Sequence, residues 1–282
     1  MSVWICVPSK RPAEVVAEWA AAWRKQGYKV ALYVDADDFD AWAPHLDTAD
    51  VWLTGWPYPG YAQAVNELVA RVLHDYPDCN WIVTGGDDVY PDPNHTADEI
   101  ARECEQHFVE VGCQLASAGA YGQLPEHLRF NRDKIRALPT EVLNKIPMAT
   151  FGVCQPTGDR YGEQPNLPAD HPMRGAYADR VCGSPWMGRE FCLRINQGRG
   201  PLWPEYTHMF EDEELQAVST KLGVLWQRRD LTQYHKHWAR ERQERADMPE
   251  FLKSVNTQEH WAKYRALFES RKAAGFPGSE PL

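Results

Sequence analysis

Val3 to Val7 (VWICV) is a continuous apolar run, the pattern of a strand covered on both faces. Pro12 then stands where a helix begins. Val16, Trp19, Ala20 and Trp23 recur at helical spacing until Gly27 ends the helix. A second strand, Lys29 to Val34, delivers Asp35, Asp37 and Asp38 at its carboxyl end. Val51-Trp52-Leu53 predicts a short third strand running into an aromatic loop rich in Pro and Gly, Thr54 to Gly60. From Tyr61 to Asp75, Ala62, Val65, Leu68, Val69, Val72 and Leu73 form one apolar helical face, closed by Pro77. Trp81 to Thr84 reads as a buried strand that stops in Gly85-Gly86. Strands alternating with helices in this order predict half of a doubly wound α/β sheet.

Past Pro93 the pattern is less regular. His95 to Val111 reads as an amphipathic helix and Gln114 to Ala118 as a short strand. A connecting excursion follows, with a small helix near Asn131 to Leu138, and Met148 to Cys154 reads as another strand. Residues 155–178 hold Gly158, Gly162, Gly175 and four prolines with little apolar periodicity, which predicts a mobile loop, either a functional lid or a disordered segment. Within RVCGSPWMGREF (180–191), a strand at Val181-Cys182 leads through a turn to a helix starting near Met187. A further helix runs to Leu222 with Gly223 as its cap, and a strand at Val224 to Trp226 follows. Beyond Ala239 the chain reads as two polar helices, broken near Met248-Pro249. The predicted organisation is an α/β domain over 1–240 and a helical C-terminal extension over 241–282.

A chain of 282 residues with 43% hydrophobic and 25% charged positions buries a core without cysteine staples. The seven cysteines (Cys6, Cys79, Cys104, Cys113, Cys154, Cys182, Cys192) are odd in number and lack C-x-x-C spacing. They read as reduced core thiols of a cytoplasmic protein, not as disulfides or a zinc site. No signal peptide is read at the start and no run approaches the roughly 20 apolar residues of a bilayer span, so no membrane partner is expected. A net charge of −10 argues against a general nucleic-acid coat. Residues 228–282 differ, with 11 Lys and Arg against 8 Asp and Glu. They fit two exposed helices of mixed charge, or a contact for an anionic partner. Twelve Trp and twelve Tyr suit stacking on sugars or bases as well as core filling.

Open α/β sheets place ligands beyond the carboxyl ends of their strands, and the polar chemistry of this chain gathers there. Asp87 and Asp88 follow Gly85-Gly86 directly. Adjacent carboxylates repel, and a hard cation such as Mn²⁺ or Mg²⁺ relieves that while taking only one or two protein oxygens and leaving room for substrate phosphates. A solvated turn explains the fragment alone equally well. Lys10 and Arg11, in the loop Pro8-Ser9-Lys10-Arg11-Pro12, are placed to meet a diphosphate and Asp35 to accept hydrogen bonds from a base, although plain loop charge explains all three equally well. Tyr58 in the aromatic loop is placed to flank a base. Gly183 and Gly188 permit close backbone approach, with Trp186 between them either stacked on a sugar or buried at a tight turn. The acidic run Glu211 to Glu214 is favoured at a helix start by the macrodipole whatever its function. His235 and His237 point the same way only on an extended segment, so they are not the i, i+4 pair of helical zinc enzymes. Without Gly-x-Gly-x-x-Gly or a Walker-type Gly-Lys-Ser/Thr, a dinucleotide dehydrogenase or P-loop kinase is not expected.

The Pro-rich loop after the first strand, Asp after the second, Gly60-x-Ala62-x-Ala64-x-Asn66 on the next helix and a strand ending in Asp87-Asp88 together resemble the GT-A glycosyltransferases over roughly residues 1–240. The resemblance implies a GT-A-like, Rossmann-type mixed sheet flanked by helices. It implies a nucleotide held by the first loops (Pro8, Ser9, Arg11) and Asp35, and the Gly60–Asn66 helix beside the diphosphate. It also implies Mn²⁺ or Mg²⁺ on an Asp-x-Asp motif, whose first aspartate is Gly86 here. Asp88 is then the direct metal ligand, Asp87 a supporting or ribose-facing group, and His235 or His237 the late ligand. Gly183, Trp186 and Gly188 fall where the family supports the transferred sugar. Asp212 falls on its general base, with Glu211 the nearest competitor. The implied activity is a metal-dependent, inverting hexosyl- or pentosyltransferase using a nucleotide-diphosphate sugar. The alternatives are a nucleotidyltransferase acting on a sugar phosphate and a non-catalytic sugar-binding module. GDRYG, SPWMGREF, HMFEDEEL and the closing His-x-His-Trp are similar to phage-encoded glycosyltransferases, which implies a hydroxymethylated base in phage DNA as acceptor and the host cytoplasm as location.

Overall fold

The computed structural model describes residues 1–117, 147–159, 183–237 and 250–282. Strand β1 (Ser2–Ser9) is central and is followed by helix α1 (Ala13–Lys25), whose Val16, Trp19, Ala20 and Trp23 are buried as their spacing predicts. Gly27 ends that helix at φ +91°, a conformation favourable to glycine. Then come β2 (Lys29–Asp35), the short α2 (Phe39–Trp42), β3 (Val51–Gly55), α3 (Tyr61–Asp75), β4 (Cys79–Val83), β5 (Val89–Tyr90) and α4 (Ala97–Ser117). After the first gap lie β6 (Val153–Pro156), and after the second β7 (Trp186–Gly188), α5 (Arg189–Gly198), α6 (Glu211–Lys221), β8 (Leu225–Arg228) and β9 (Tyr234–His235). Helices α7 (Glu250–Val255) and α8 (Gln258–Ala273) close the chain.

Seven strands form one sheet in the order β3-β2-β1-β4-β7-β6-β8, and β5 pairs with β9 in a separate ribbon. Only β7 runs antiparallel to its neighbours, β4 and β6; the other pairs in the sheet are parallel. The architecture is a mixed α/β, Rossmann-like sheet flanked by helices. Its interior absorbs most of the tryptophan surplus, since Trp4, Trp19, Trp23, Trp81 and Trp186 are all fully buried. Cys6, Cys79, Cys104, Cys154 and Cys192 are buried free thiols, as their spacing suggests. Among the described residues no helix is long and apolar enough to cross a membrane.

Three local expectations are corrected. Residues 114–117 continue α4 instead of forming a strand. The segment from Pro147 to Thr150 is a 3₁₀ turn, and the strand expected from Met148 begins only at Val153. Met187 and Gly188 belong to β7, where Trp186, Met187 and Gly188 pair with Val83, Ile82 and Trp81, so the helix expected near Met187 starts at Arg189. Each is a short apolar stretch whose period does not separate strand from helix. The helix near 131–138, the strand at 181–182, most of the loop 155–178 and the break near 248–249 lie outside the described residues.

The C-terminal helices are fastened to the sheet domain by a buried ion pair. Arg271 on α8 meets Glu214 on α6 through Nε at 2.8 Å and Nη2 at 2.6 Å, while Tyr206 donates its hydroxyl to the same carboxylate at 2.8 Å. Ser279 also donates to Glu214, and the guanidinium lies 3.3 Å from the Trp203 ring centroid. Every charge in this knot has a partner, which is the condition for burying an ion pair without a large penalty.

Glu105 on α4 is also fully buried, with Asn80 donating to it at 2.8 Å. Burial pushes its pKa up to about 7, against the pull of Asn80 and Trp81. A carboxyl raised in the folded state contributes full stability below its unfolded pKa and loses it as pH rises through the folded one. Glu105→Gln keeps the acceptor for Asn80 and cannot ionise. We expect it to match wild type at pH 4.5 and to exceed it by about 3 kcal/mol at pH 8. Urea unfolding at the two pH values reads this, and an equal difference at both would assign the effect to packing.

Candidate active site

The Asp87-Asp88 turn hangs from the end of β4 and is pinned from behind. Thr84 donates its hydroxyl to the Cys6 carbonyl at 2.8 Å, and the Tyr61 hydroxyl lies 3.0 Å from Thr84 Oγ1. Past the turn, the Val89 carbonyl accepts from Trp19 Nε1 at 2.7 Å and Trp23 Nε1 at 3.0 Å. Two core tryptophans of α1 therefore set the depth of the aspartates. A Cβ on Gly86 would meet Asp88 Oδ1, so a side chain there would have to shift the Asp88 carboxylate.

Arg11 lies across both carboxylates, with Nε 2.6 Å from Asp87 Oδ1 and Nη2 3.0 Å from Asp88 Oδ2. Ser9 donates to the other Asp87 oxygen at 2.5 Å. His235 Nε2 is 3.2 Å from Asp88 Oδ1. The histidine is delivered by the β5–β9 ribbon, which pairs Val89 with His235, and by the Lys236 amide bonding the Asp88 carbonyl at 2.8 Å. Asp92 holds the incoming strand by accepting the Thr232 amide at 2.6 Å. His237 follows 5.0 Å from His235, ring centroid to centroid.

The two aspartates are not equivalent. Burial opposes ionisation of both. At Asp88 the His235 hydrogen bond, with the charges of His235, Arg11 and His237, outweighs it and holds the carboxyl below the usual range. At Asp87 burial wins over Arg11 and Ser9, and the carboxyl is raised. Asp88 is thus the readier anion and the one beside an imidazole.

Asp88 and His235 fit a hard cation. Two donors about 2.1 Å from an octahedral ion and at right angles stand about 3.0 Å apart, close to their 3.2 Å separation. Among the described residues no group of three or more His, Cys, Asp or Glu converges as a complete cage. Mg²⁺-type sites in which substrate phosphates supply the remaining ligands need none. Arg11 occupies Asp87 Oδ1 and Asp88 Oδ2, so a cation between Asp88 Oδ1 and His235 Nε2 would replace the hydrogen bond joining them and would stand beside a guanidinium.

The second acidic group stands at the start of α6. Phe210 caps the helix in a left-handed conformation, φ 71°, which is uncommon for a bulky side chain. Glu211 is buried and its Oε2 has no hydrogen-bond partner, whereas Asp212 Oδ1 accepts the Glu213 amide at 2.9 Å. Burial raises both carboxyls, and the neighbouring Asp212 charge raises Glu211 further. The pair therefore loses its first proton from Asp212, whose anion has a donor. Glu213 is pushed up to about 7 by burial, then by Asp212 and Glu269. Glu214 belongs to the Arg271 knot.

One cavity of about 520 Å³ joins the two groups, lined among others by Ser9, Lys10, Arg11, Asp87, Asp88, Glu211, Asp212, His235 and His237. Pro8, Tyr58 and Gly183 also line it, as the sequence predicts. Lys10 Nζ bonds Asp35 at 2.8 Å and stands 5.7 Å from the Tyr58 ring centroid, so Asp35 reaches the cavity wall through a lysine.

Four expected ligand contacts are instead structural. Asn66 is buried, exchanging hydrogen bonds with the Leu202 backbone at 2.7 and 3.0 Å, and so places Leu202, which lines the cavity. Gly60, at φ +93°, starts α3 against Thr207, where a Cβ would lie 2.9 Å from Thr207 Cα. Trp186 is a core residue packed edge-on to Tyr28, and a Cβ on Gly188 would strike the Thr150 carbonyl. Arg189, Arg194 and Arg199 are bonded to backbone carbonyls of Leu73, Leu282 and Asn196. Conversely, the cavity includes His208 and one wall from α7 and its end, Leu252, Ser254, Val255 and Asn256. Only the tertiary docking through Arg271 reveals that wall.

No protein-family model and no curated protein sequence matches this chain.

Proposed function

We propose that the chain is a GT-A-type, metal-dependent, inverting glycosyltransferase that moves a sugar from a nucleotide-diphosphate sugar to an acceptor hydroxyl. The carrying observation is the single cavity that holds a cation-compatible Asp88–His235 pair, two basic side chains and a separate buried carboxyl pair. Mn²⁺ or Mg²⁺, held by Asp88 and His235, supplies charge neutralisation for the departing nucleoside diphosphate. Lys10 and Arg11 offset the same charge from the loop after β1. Asp212 accepts the proton of the acceptor hydroxyl as its oxygen bonds the anomeric carbon. The bond from that carbon to the diphosphate oxygen breaks on the opposite face, and its electron pair leaves with the diphosphate. Glu211 keeps its proton and adds no second negative charge beside the attacking oxygen. The proposed acceptor is a hydroxymethylated base in DNA.

The reading requires that a nucleotide-diphosphate sugar raise the melting temperature only with Mn²⁺ or Mg²⁺ present and that turnover release a nucleoside diphosphate. Pyrophosphate released from a nucleoside triphosphate would identify a nucleotidyltransferase instead. Binding of sugar donors without turnover on any acceptor would leave a non-catalytic module.

A further inference from the structure

We infer that the groove between the start of α6 and the first turn of α8 is the acceptor subsite of the transferase proposed above, and that it takes a nucleotide of a single strand, with its base on Trp261 and its phosphate at Arg265. This inference rests on that transferase reading. The groove has a volume of about 580 Å³ and is lined by Met209, Asn256, Thr257, Gln258, Trp261 and Ala262. Asn256 lines both this groove and the 520 Å³ cavity. The chain itself makes the same join. Met209 lines the groove, Phe210 turns left-handed at φ 71°, and Glu211 and Asp212 face the cavity. The carboxyl pair thus stands where the two spaces meet, the position a base needs if acceptor arrives from one side and donor from the other.

The wall has a specific chemistry. Trp261 is 47% exposed although Phe210 packs 6.0 Å from it, and Phe210 in turn stacks on Phe268. The Arg265 guanidinium lies 4.9 Å from the Trp261 ring centroid. Thr257 Oγ1 is engaged in capping α8 through the His260 amide at 3.1 Å, so the side-chain amide of Gln258 lines the groove as the group for a ring's polar edge. A neutral sugar would match the indole and the amide but bring nothing for the guanidinium. A nucleotide brings a flat face, a hydrogen-bonding edge and a phosphate together. A net charge of −10 does not forbid this contact, because screening over about 10 Å at moderate salt leaves the local charge, here Arg265 beside Trp261, to decide it.

The test is fluorescence anisotropy with a labelled single-stranded oligothymidine, at low and moderate salt, beside calorimetry of the nucleotide-diphosphate sugar that gives the largest thermal shift. Trp261→Ala is expected to weaken oligothymidine binding about tenfold or more, and Trp261→Phe to retain most of it. Arg265→Ala is expected to weaken it and to flatten the logarithmic salt dependence by about one unit. Donor affinity stays at the wild-type value in all three, which shows the neighbouring cavity intact. Oligothymidine binding that is absent in wild type, indifferent to Trp261→Ala, or displaced by a neutral oligosaccharide overturns the inference while leaving the transferase reading standing. Absence of donor binding in wild type removes the transferase reading, and with it the role of acceptor subsite.

Discussion

Asn in place of Asp212 is expected to lower kcat about 100-fold or more while donor affinity stays near wild type, because the substitution is nearly isosteric and removes only the group that accepts the proton. Glu211→Gln is expected to keep kcat within a few-fold. Glu211 is the buried member whose Oε2 lacks a donor and whose carboxyl is raised both by burial and by the Asp212 charge, so the environment favours its protonated form, which glutamine imitates. The pH profiles separate the two further. Wild-type kcat should rise with pH along an acid limb above the ordinary aspartate range, since burial raises Asp212 and a base must be ionised to act. Glu211→Gln should preserve that limb. Steady-state rates for both variants across pH decide the matter. Normal turnover by Asp212→Asn with loss in Glu211→Gln would move the base by one residue.

The sheet and its helices were legible because burial imposes period. On β1 the apolar run VWICV is covered on both faces, and on α3 the apolar face of Tyr61–Asp75 has the bounds the pattern assigns. The ends of β1 and β4 were legible too, since Pro, Gly and paired Asp at a strand terminus locate the turns where ligands sit. What escaped were contacts between segments distant in sequence. Asn66 looks available on a helix of small residues until Leu202, 136 residues later, occupies both ends of its amide. Trp186 between two glycines reads either as a sugar platform or as a buried turn residue, and only its place between β4 and β6 shows it to be core. The cavity wall from α7 had no sequence signal, because a polar helix shows its function only through what it is docked against. Arg11 reads from the sequence as a loop cation that could meet a diphosphate, but nothing along the chain indicates that it spans both aspartates.

That bridging arginine shapes the other large effect. Asp88→Ala is expected to abolish measurable Mn²⁺-dependent donor binding, whereas Asp87→Asn should weaken it about tenfold. Asp88 is held ionised by His235, Arg11 and His237 against the cost of burial, and its Oδ1 stands 3.2 Å from the imidazole that completes the donor pair. Asp87 instead meets Ser9 and Arg11 and is raised by burial, the environment of a group that orients the arginine. Changing groups that support metal ligands typically costs about 10- to 100-fold in metal affinity, so removing the ligand itself should exceed that range. Arg11 also sets the order of events. While its guanidinium lies on both carboxylates, a cation alone on Asp88 Oδ1 meets a neighbouring positive charge with no compensating anion, but a diphosphate arriving with the cation offers both charges a common partner. Wild type should therefore bind free Mn²⁺ weakly and Mn²⁺ with nucleoside diphosphate much more tightly, a coupling that calorimetry and the Mn²⁺ electron-resonance signal both read. Equal Mn²⁺-dependent donor affinity in Asp88→Ala and wild type would refute the ligand assignment. Tight Mn²⁺ binding without nucleotide would show that Arg11 does not oppose the cation.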